Sequence, residues 1–149
     1  MFSKSCQYAI QALLYIGLKG GNSTPVSIKS ICEDQNIPHH FLAKILQSLV
    51  KHKFLLSVKG PSGGFKINQP MSKFKLIDVV LFMDGAQLFD QCGIGLKECS
   101  DNTPCPVHAT FKIVKNKVRH ILTENSLEQL CKEIKSGKTN LILLHELEN

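Results

Sequence analysis

The first half of the chain is almost without acid. Residues 1–75 carry ten lysines and only two acidic side chains, Glu33 and Asp34, a net of +8. Residues 76–149 carry seven lysines and Arg119 against ten acidic residues, a net of −2, and the halves sum to the +6 of the whole. No apolar run is long enough to span a bilayer, and Met1-Phe2-Ser3-Lys4 does not open a charged-then-apolar leader. Internal repeats and low-complexity tracts are absent as well. These lacks argue for a soluble protein and lead us to expect a cytoplasmic one with no membrane partner. The uneven charge implies that a polyanion would engage the first half. With 149 residues, 43% of them hydrophobic, there is enough chain for one core, or for a small domain with an oligomerisation arm.

Cysteine is present but unevenly placed. Cys6, Cys32 and Cys131 sit singly in apolar-periodic segments and read as small buried hydrophobes. Cys92, Cys99, Cys105 and His108, by contrast, fall within seventeen residues. Between them lie two glycines, two prolines and a Ser-Asp-Asn-Thr run, poor material for helix or strand. Soft ligands gathered on a metal would hold such a loop, and in a reducing compartment that use outweighs a structural disulfide. Six residues separate Cys92 from Cys99 and five separate Cys99 from Cys105. Structural zinc sites favour tighter knuckles, so the wide gaps favour a larger body, an iron–sulfur cluster, with zinc as the alternative. His39, His40, His52, His120 and His145 have no comparable neighbours.

The first half reads as three helices and a hairpin. Tyr8, Ala9, Ala12, Leu13 and Ile16 recur at helical spacing over residues 3–19, and Gly20-Gly21-Asn22 stops that helix. A short second helix follows Ser27 as its cap, with Ile28, Ile31 and Cys32 facing inward. After the Gln35-Asn36 turn, Pro38 sits where a first-turn proline is tolerated, and a third helix runs to about His52. Phe41, Leu42, Ile45, Leu46, Leu49 and Val50 form its predicted core stripe. His40, Lys44, Gln47, Ser48 and Lys51 form the opposite face, which has no acid. This is the helix-turn-helix arrangement. Leu55–Val58 and Gly64–Ile67 then read as strands around a Lys59-Gly60-Pro61-Ser62-Gly63 tip. A glycine tip permits close backbone approach, and Lys59 and Lys66 beside it suit a phosphate surface. The tip lacks the Gly-Lys-Ser/Thr ending of a nucleotide-binding loop and leads into a strand.

The second half reads as a ligand loop and two helices. Pro106 is expected to open a long helix reaching about Glu124. Val107, Phe111, Val114, Val118 and Ile121 repeat along it at heptad-like spacing. Ser126 and Gln129 have the spacing of a capping box for a last helix, with Leu127, Leu130 and Ile134 inside and Gly137 at its end. The apolar run Leu141-Ile142-Leu143-Leu144 is expected to pack back on the body or on a partner.

Several of these segments together resemble a known family. They are Tyr8-Ala9, Phe41-Leu42-Ala43-Lys44-Ile45-Leu46, Lys59-Gly60-Pro61-Ser62-Gly63-Gly64-Phe65 and Leu76-Ile77-Asp78-Val79-Val80 leading to Asp84-Gly85. With Cys92, Cys99, Cys105 and His108 following, nearly the whole chain resembles the Rrf2 family of bacterial winged-helix transcription regulators, in its IscR- and NsrR-like form. The resemblance implies a homodimer on pseudo-palindromic double-stranded DNA, the third helix in the major groove and the wing at the minor groove. His40, Lys44, Gln47, Ser48 and Lys51, with Lys59, Gly60, Ser62, Gly63 and Lys66 of the wing, become the expected DNA contacts. Lys59 stands where the family usually has an arginine; it keeps the charge but not the planar fork.

The resemblance also implies a 2Fe–2S cluster, rather than 4Fe–4S, on Cys92, Cys99, Cys105 and, through the Cys-x2-His-Ala pattern, His108. It implies a dimer seam at Val107, Phe111, Val114, Val118 and Ile121. The expected fold is therefore mainly α with a small β-hairpin wing. It divides into a winged helix-turn-helix domain at 1–85, a cluster-binding loop at 86–108, a dimerisation helix and its successor at 106–137, and a tail at 138–149. The rival within this fold is a zinc or thiol switch. A thiol enzyme using Cys105 and His108 is disfavoured, since no orienting group or oxyanion site accompanies them, and no enzyme is expected.

Overall fold

The structure is a computed structural model that describes residues 1–139, so the Leu141–Leu144 run lies outside the described residues. Its first helix, α1 (Lys4–Lys19), starts at Ser3, whose hydroxyl accepts the Cys6 backbone N–H at 3.1 Å. Asp84 in turn accepts both the Ser3 backbone N–H, at 2.8 Å, and the Ser3 hydroxyl, tying the start of the chain to a later helix. Gly20 ends α1 because the chain folds back tightly there: a Cβ would lie 1.9 Å from the Thr24 carbonyl oxygen. Ser27 caps α2 (Ile28–Gln35) through the Ser30 N–H, and Asn36 leaves it in the left-handed region at φ 49°. A hydrogen bond from the Tyr15 hydroxyl to Asp34 fastens α2 to α1.

Helix α3 (His39–Lys51) follows Pro38 directly and buries Leu42, Ile45, Leu46 and Leu49. Phe41 departs from the expected core stripe. It is 52% exposed, its ring against that of His40 with centroids 4.3 Å apart. Phe41 sits about 100° around the helix from Leu42, in the first turn, and falls past the edge of the core groove that Leu42 and Ile45 fill. Val50 is half-buried, and His52 closes the helix with its ring nitrogen on the Ser48 carbonyl.

The wing is a two-stranded antiparallel sheet of β1 (Leu55–Val58) and β2 (Gly64–Ile67), in register from Leu55 opposite Ile67 to Val58 opposite Gly64. Val26 and Phe65 exchange backbone hydrogen bonds of 2.9 and 2.8 Å, so the segment before α2 adds a third edge. Gly64 permits that contact. Its φ is +153°, and a Cβ there would lie 2.2 Å from the Val26 carbonyl oxygen.

The chain continues through α4 (Leu76–Asp84), a short α5 (Gln87–Asp90), an irregular loop, α6 (His108–Glu124) and α7 (Leu127–Lys135). The turn α5 is not foreseen by sequence periodicity; buried Phe89 anchors it. Helix α6 begins two residues later than expected, because Pro106 lies inside the turn closed by the His108 N–H on the Cys105 carbonyl at 3.0 Å. Two apolar clusters result. The larger joins α1, α2, α3, the wing and α4, and takes Leu127 and Cys131 of α7 into its body. The smaller gathers Cys6, Leu76, Ile77, Val80, Phe89 and Leu122, and so seats α5 and α6 on α1 and α4. No helix among the described residues is long and apolar enough to cross a membrane.

Candidate metal centre and nucleic-acid interface

The structure brings together the three cysteines expected from sequence and sets His108 against one of them. The Cys92, Cys99 and Cys105 sulfur atoms all lie within 4.8 Å of one another. Two contacts are closer still: Cys92 Sγ to Cys105 Sγ at 3.7 Å within that group, and Cys99 Sγ at 3.1 Å from Nδ1 of His108, which borders the group at Cys99. The loop reaches this shape through its own backbone. Gly95, at φ +80°, donates to the Cys92 carbonyl, while the Ser100 hydroxyl receives the Asn102 and Thr103 N–H groups. The Thr103 hydroxyl donates to the Glu98 carbonyl, drawing the Cys99-to-Cys105 span into a compact turn.

Backbone donors point at the sulfurs. The N–H groups of Ile94 and Leu96 favour the Cys92 thiolate and bring that thiol down to about 7. The Cys105 N–H reaches Cys99 Sγ at 3.4 Å and also favours a thiolate. At Cys99 burial and the two neighbouring thiols outweigh that donor, so its thiol lies above the ordinary value. Three thiols and an imidazole nitrogen, with backbone donors on two sulfurs, fit a soft metal or an iron–sulfur cluster. A cleft of about 340 Å³ opens beside them, bordered by Phe89, His108, Phe111 and Lys112.

Sequence reasoning did not single out Asp101. It lies in the loop between Cys99 and Cys105, and its carboxylate accepts from His108 Nε2 at 2.9 Å and from Lys112 Nζ at 2.7 Å. The Lys112 ammonium, then the His108 ring, hold its carboxyl below the usual range. The available signal was the four-residue step from His108 to Lys112, which puts both on one face of α6. Further along, Lys115 donates to the Gln91 carbonyl, and Arg119 lies over the Phe89 ring and near Asp90. The start of α6 is thus tied to the loop and to α5.

Of the expected seam, Phe111, Val114 and Ile121 are exposed, while Val107 and Val118 are half-buried. Ile113, outside the seam, is also exposed at 57%. Of the expected DNA contacts, His40, Lys44, Gln47 and Lys51 stand exposed on α3, with Ser48 half-buried beside them. Lys59, Gly60 and Ser62 are exposed at the wing tip, and Gly63 and Lys66 are half-buried. Gly60, at φ +108°, has open space around it. Cys6 and Cys131 are buried and Cys32 is half-buried, and none of the three belongs to the sulfur group.

A helix-turn-helix with a hairpin wing, joined to a thiol-bearing loop and a long helix, defines a DNA-binding regulator with a metal-competent appendage. The model of one family, "Rrf2: Iron-dependent Transcriptional regulator", matches residues 2–133, and the chain belongs to that family. It is 27% identical over 124 residues to the "HTH-type transcriptional regulator IscR" of Photorhabdus laumondii, covering 83% of this chain and 74% of that one. Among solved structures, T. potens IscR matches with a TM-score of 0.70 and 22% identity, over 97% of this chain and 96% of that one. CymR, the global cysteine regulator of B. subtilis, matches with a TM-score of 0.73 and 19% identity, over 89% and 96%. The protein is a transcription regulator of IscR-like type and not an enzyme.

Proposed function

We propose that the protein is a homodimeric regulator whose DNA affinity is set by a 2Fe–2S cluster on Cys92, Cys99, Cys105 and His108. The observation that carries this reading is the pairing of donors, Cys92 with Cys105 and Cys99 with His108, at one end of α6. Two pairs of donors suit two irons. Such a cluster supplies redox-active iron whose retention depends on its surroundings.

The chain's own part is mechanical. The ligand loop holds the start of α6, and Phe111, Val114 and Ile121 of that helix present an apolar face to a second copy. Ordering of the loop would therefore bias how two subunits place their α3 helices on successive major grooves of a pseudo-palindrome. His40, Lys44, Gln47, Ser48 and Lys51 would meet bases and phosphates, while Lys59, Gly60, Ser62, Gly63 and Lys66 would lie along the minor groove. Lys44→Ala should weaken binding across all sequences and lower the slope of log affinity against log salt by about one, the signature of one lost phosphate contact. An unchanged slope in titrations at several salt concentrations removes Lys44 from the phosphate-contacting set.

The direct test is the absorption spectrum of protein purified without oxygen, with iron and sulfide assayed on the same sample. Visible charge-transfer bands with matching iron and sulfide are expected. A second reading rests on the three sulfurs lying within 4.8 Å, which would also suit a single tetrahedral ion. Colourless protein containing zinc would favour that reading and leave the DNA-binding half of the proposal in place.

A further inference from the structure

Asp101 is not among the expected ligands, yet its carboxylate joins the ligand loop to two successive turns of α6. Its Oδ1 lies 2.9 Å from His108 Nε2, and both its oxygens lie 2.7 Å from Lys112 Nζ. An ionised carboxylate only accepts hydrogen bonds, so the ring nitrogen facing it must carry the proton. In neutral imidazole the other nitrogen is then bare. That other nitrogen is Nδ1, which faces Cys99 Sγ at 3.1 Å. The geometry points to Asp101 as a positioning residue that holds His108 in its Nε2–H form and thereby makes Nδ1 the metal-binding atom.

Lys112 completes the arrangement. Its ammonium spans both carboxylate oxygens, including the Oδ1 that faces the ring, and ties Asp101 to α6 one helical turn beyond His108. The ring is held from two directions, by the loop carboxylate at Nε2 and by Cys99 at Nδ1. Carboxylate–histidine–metal relays of this kind raise ligand basicity and orient the ring. The inference rests on the metal-binding reading above, but its first test requires no metal.

Protein carrying 15N-labelled histidine is prepared metal-free, and long-range nitrogen–proton correlations are recorded at pH 8. Comparison with His108→Gln identifies the signals of this ring among the six histidines. In the wild type the Nε2–H form of His108 is expected to dominate. Asp101→Ala should give a mixture of both tautomers, and Asp101→Glu should restore most of the original form. A wild-type Nδ1–H form, or an unchanged balance in Asp101→Ala, overturns the assignment.

The second arm titrates cobalt(II) into the same proteins and follows its thiolate charge-transfer band. Asp101→Ala should bind cobalt roughly tenfold more weakly, the lower end for lost outer contacts to metal ligands. Equal cobalt affinity in wild type and Asp101→Ala overturns the positioning role alone. A wild type that binds neither cobalt nor iron overturns the metal-binding reading itself, and the inference with it.

Discussion

Replacing Cys99 with alanine should strip the protein of its visible absorption, with iron and sulfide falling to the level of a buffer blank. Cys99 is the proposed ligand that meets each of the other three. Its sulfur receives the Cys105 N–H at 3.4 Å, faces His108 Nδ1 at 3.1 Å and lies within 4.8 Å of both remaining sulfurs. Without it, the His108 ring loses its paired donor, and Cys92 and Cys105 alone remain as a pair. Affinity for an operator selected from random duplexes should shift by about five- to 150-fold at fixed salt, the usual range of coupling between two sites. The controls are Cys6→Ala and Cys131→Ala. Burial, with Asp84 nearby, pushes the Cys6 thiol up to about 12, and burial pushes Cys131 to about 11, so neither offers a thiolate near neutral pH. Both variants should keep the full iron and sulfide content. A Cys99→Ala protein that keeps its iron and sulfide refutes the ligand assignment, whereas one that loses them without any change in affinity refutes the coupling to DNA.

The second large effect is expected at Ile121. This side chain is 58% exposed near the end of α6 and continues the apolar line of Val114 and Phe111. Glutamate there would place a charge in the proposed seam, where it has neither water nor a partner. Ile121→Glu should convert the dimer to a monomer in light scattering. Each subunit would then bind its half-site alone, and operator affinity should fall roughly 100-fold or more, the worth of linking two modest contacts. Thr123→Glu is the matched control. Two residues further on is about 200° around the helix, so the same charge faces away from the seam and should leave mass and affinity unchanged. Because Ile121 is exposed, the monomer should keep its fold, which circular dichroism checks. A dimer that survives Ile121→Glu places the seam elsewhere.

How much of this could be read in the sequence depends on which force shapes each element. Helix ends were legible because Ser27, Asn36 and Ser126 announce them with local hydrogen bonds that need no distant partner. Ser126 does accept the Gln129 N–H at 3.2 Å; the Gln129 side chain, however, turns to Glu133 instead of closing the box. The wing was legible because a glycine-rich tip between two short apolar runs admits few other shapes. Phe41 was misplaced because periodicity gives an angle around a helix but not where the core groove ends. Turn α5 was missed because four residues carry no period, and only the burial of Phe89 against its neighbours creates it. At the candidate metal centre, Cys and His could be read from residue chemistry alone. Asp101 could not, since its role arises only when the loop folds over His108 and Lys112.

One packing feature bears on how the molecule is made. Leu127 is fully buried in the cluster formed with α1, and Cys131 lies 2.9 Å from where a Cβ on Gly17 would stand. Backbone bonds from the Leu127 and Glu128 N–H groups to the Phe74 and Met71 carbonyls seal that contact. During synthesis the chain grows from its amino end, and α1 leaves the ribosome long before α7 exists. The core that α1 shares with the helix-turn-helix and wing is therefore complete only after the thiol-bearing loop, α6 and α7 have been translated. Whatever that loop takes up can already be in reach of its cysteines at the moment the reading surface sets.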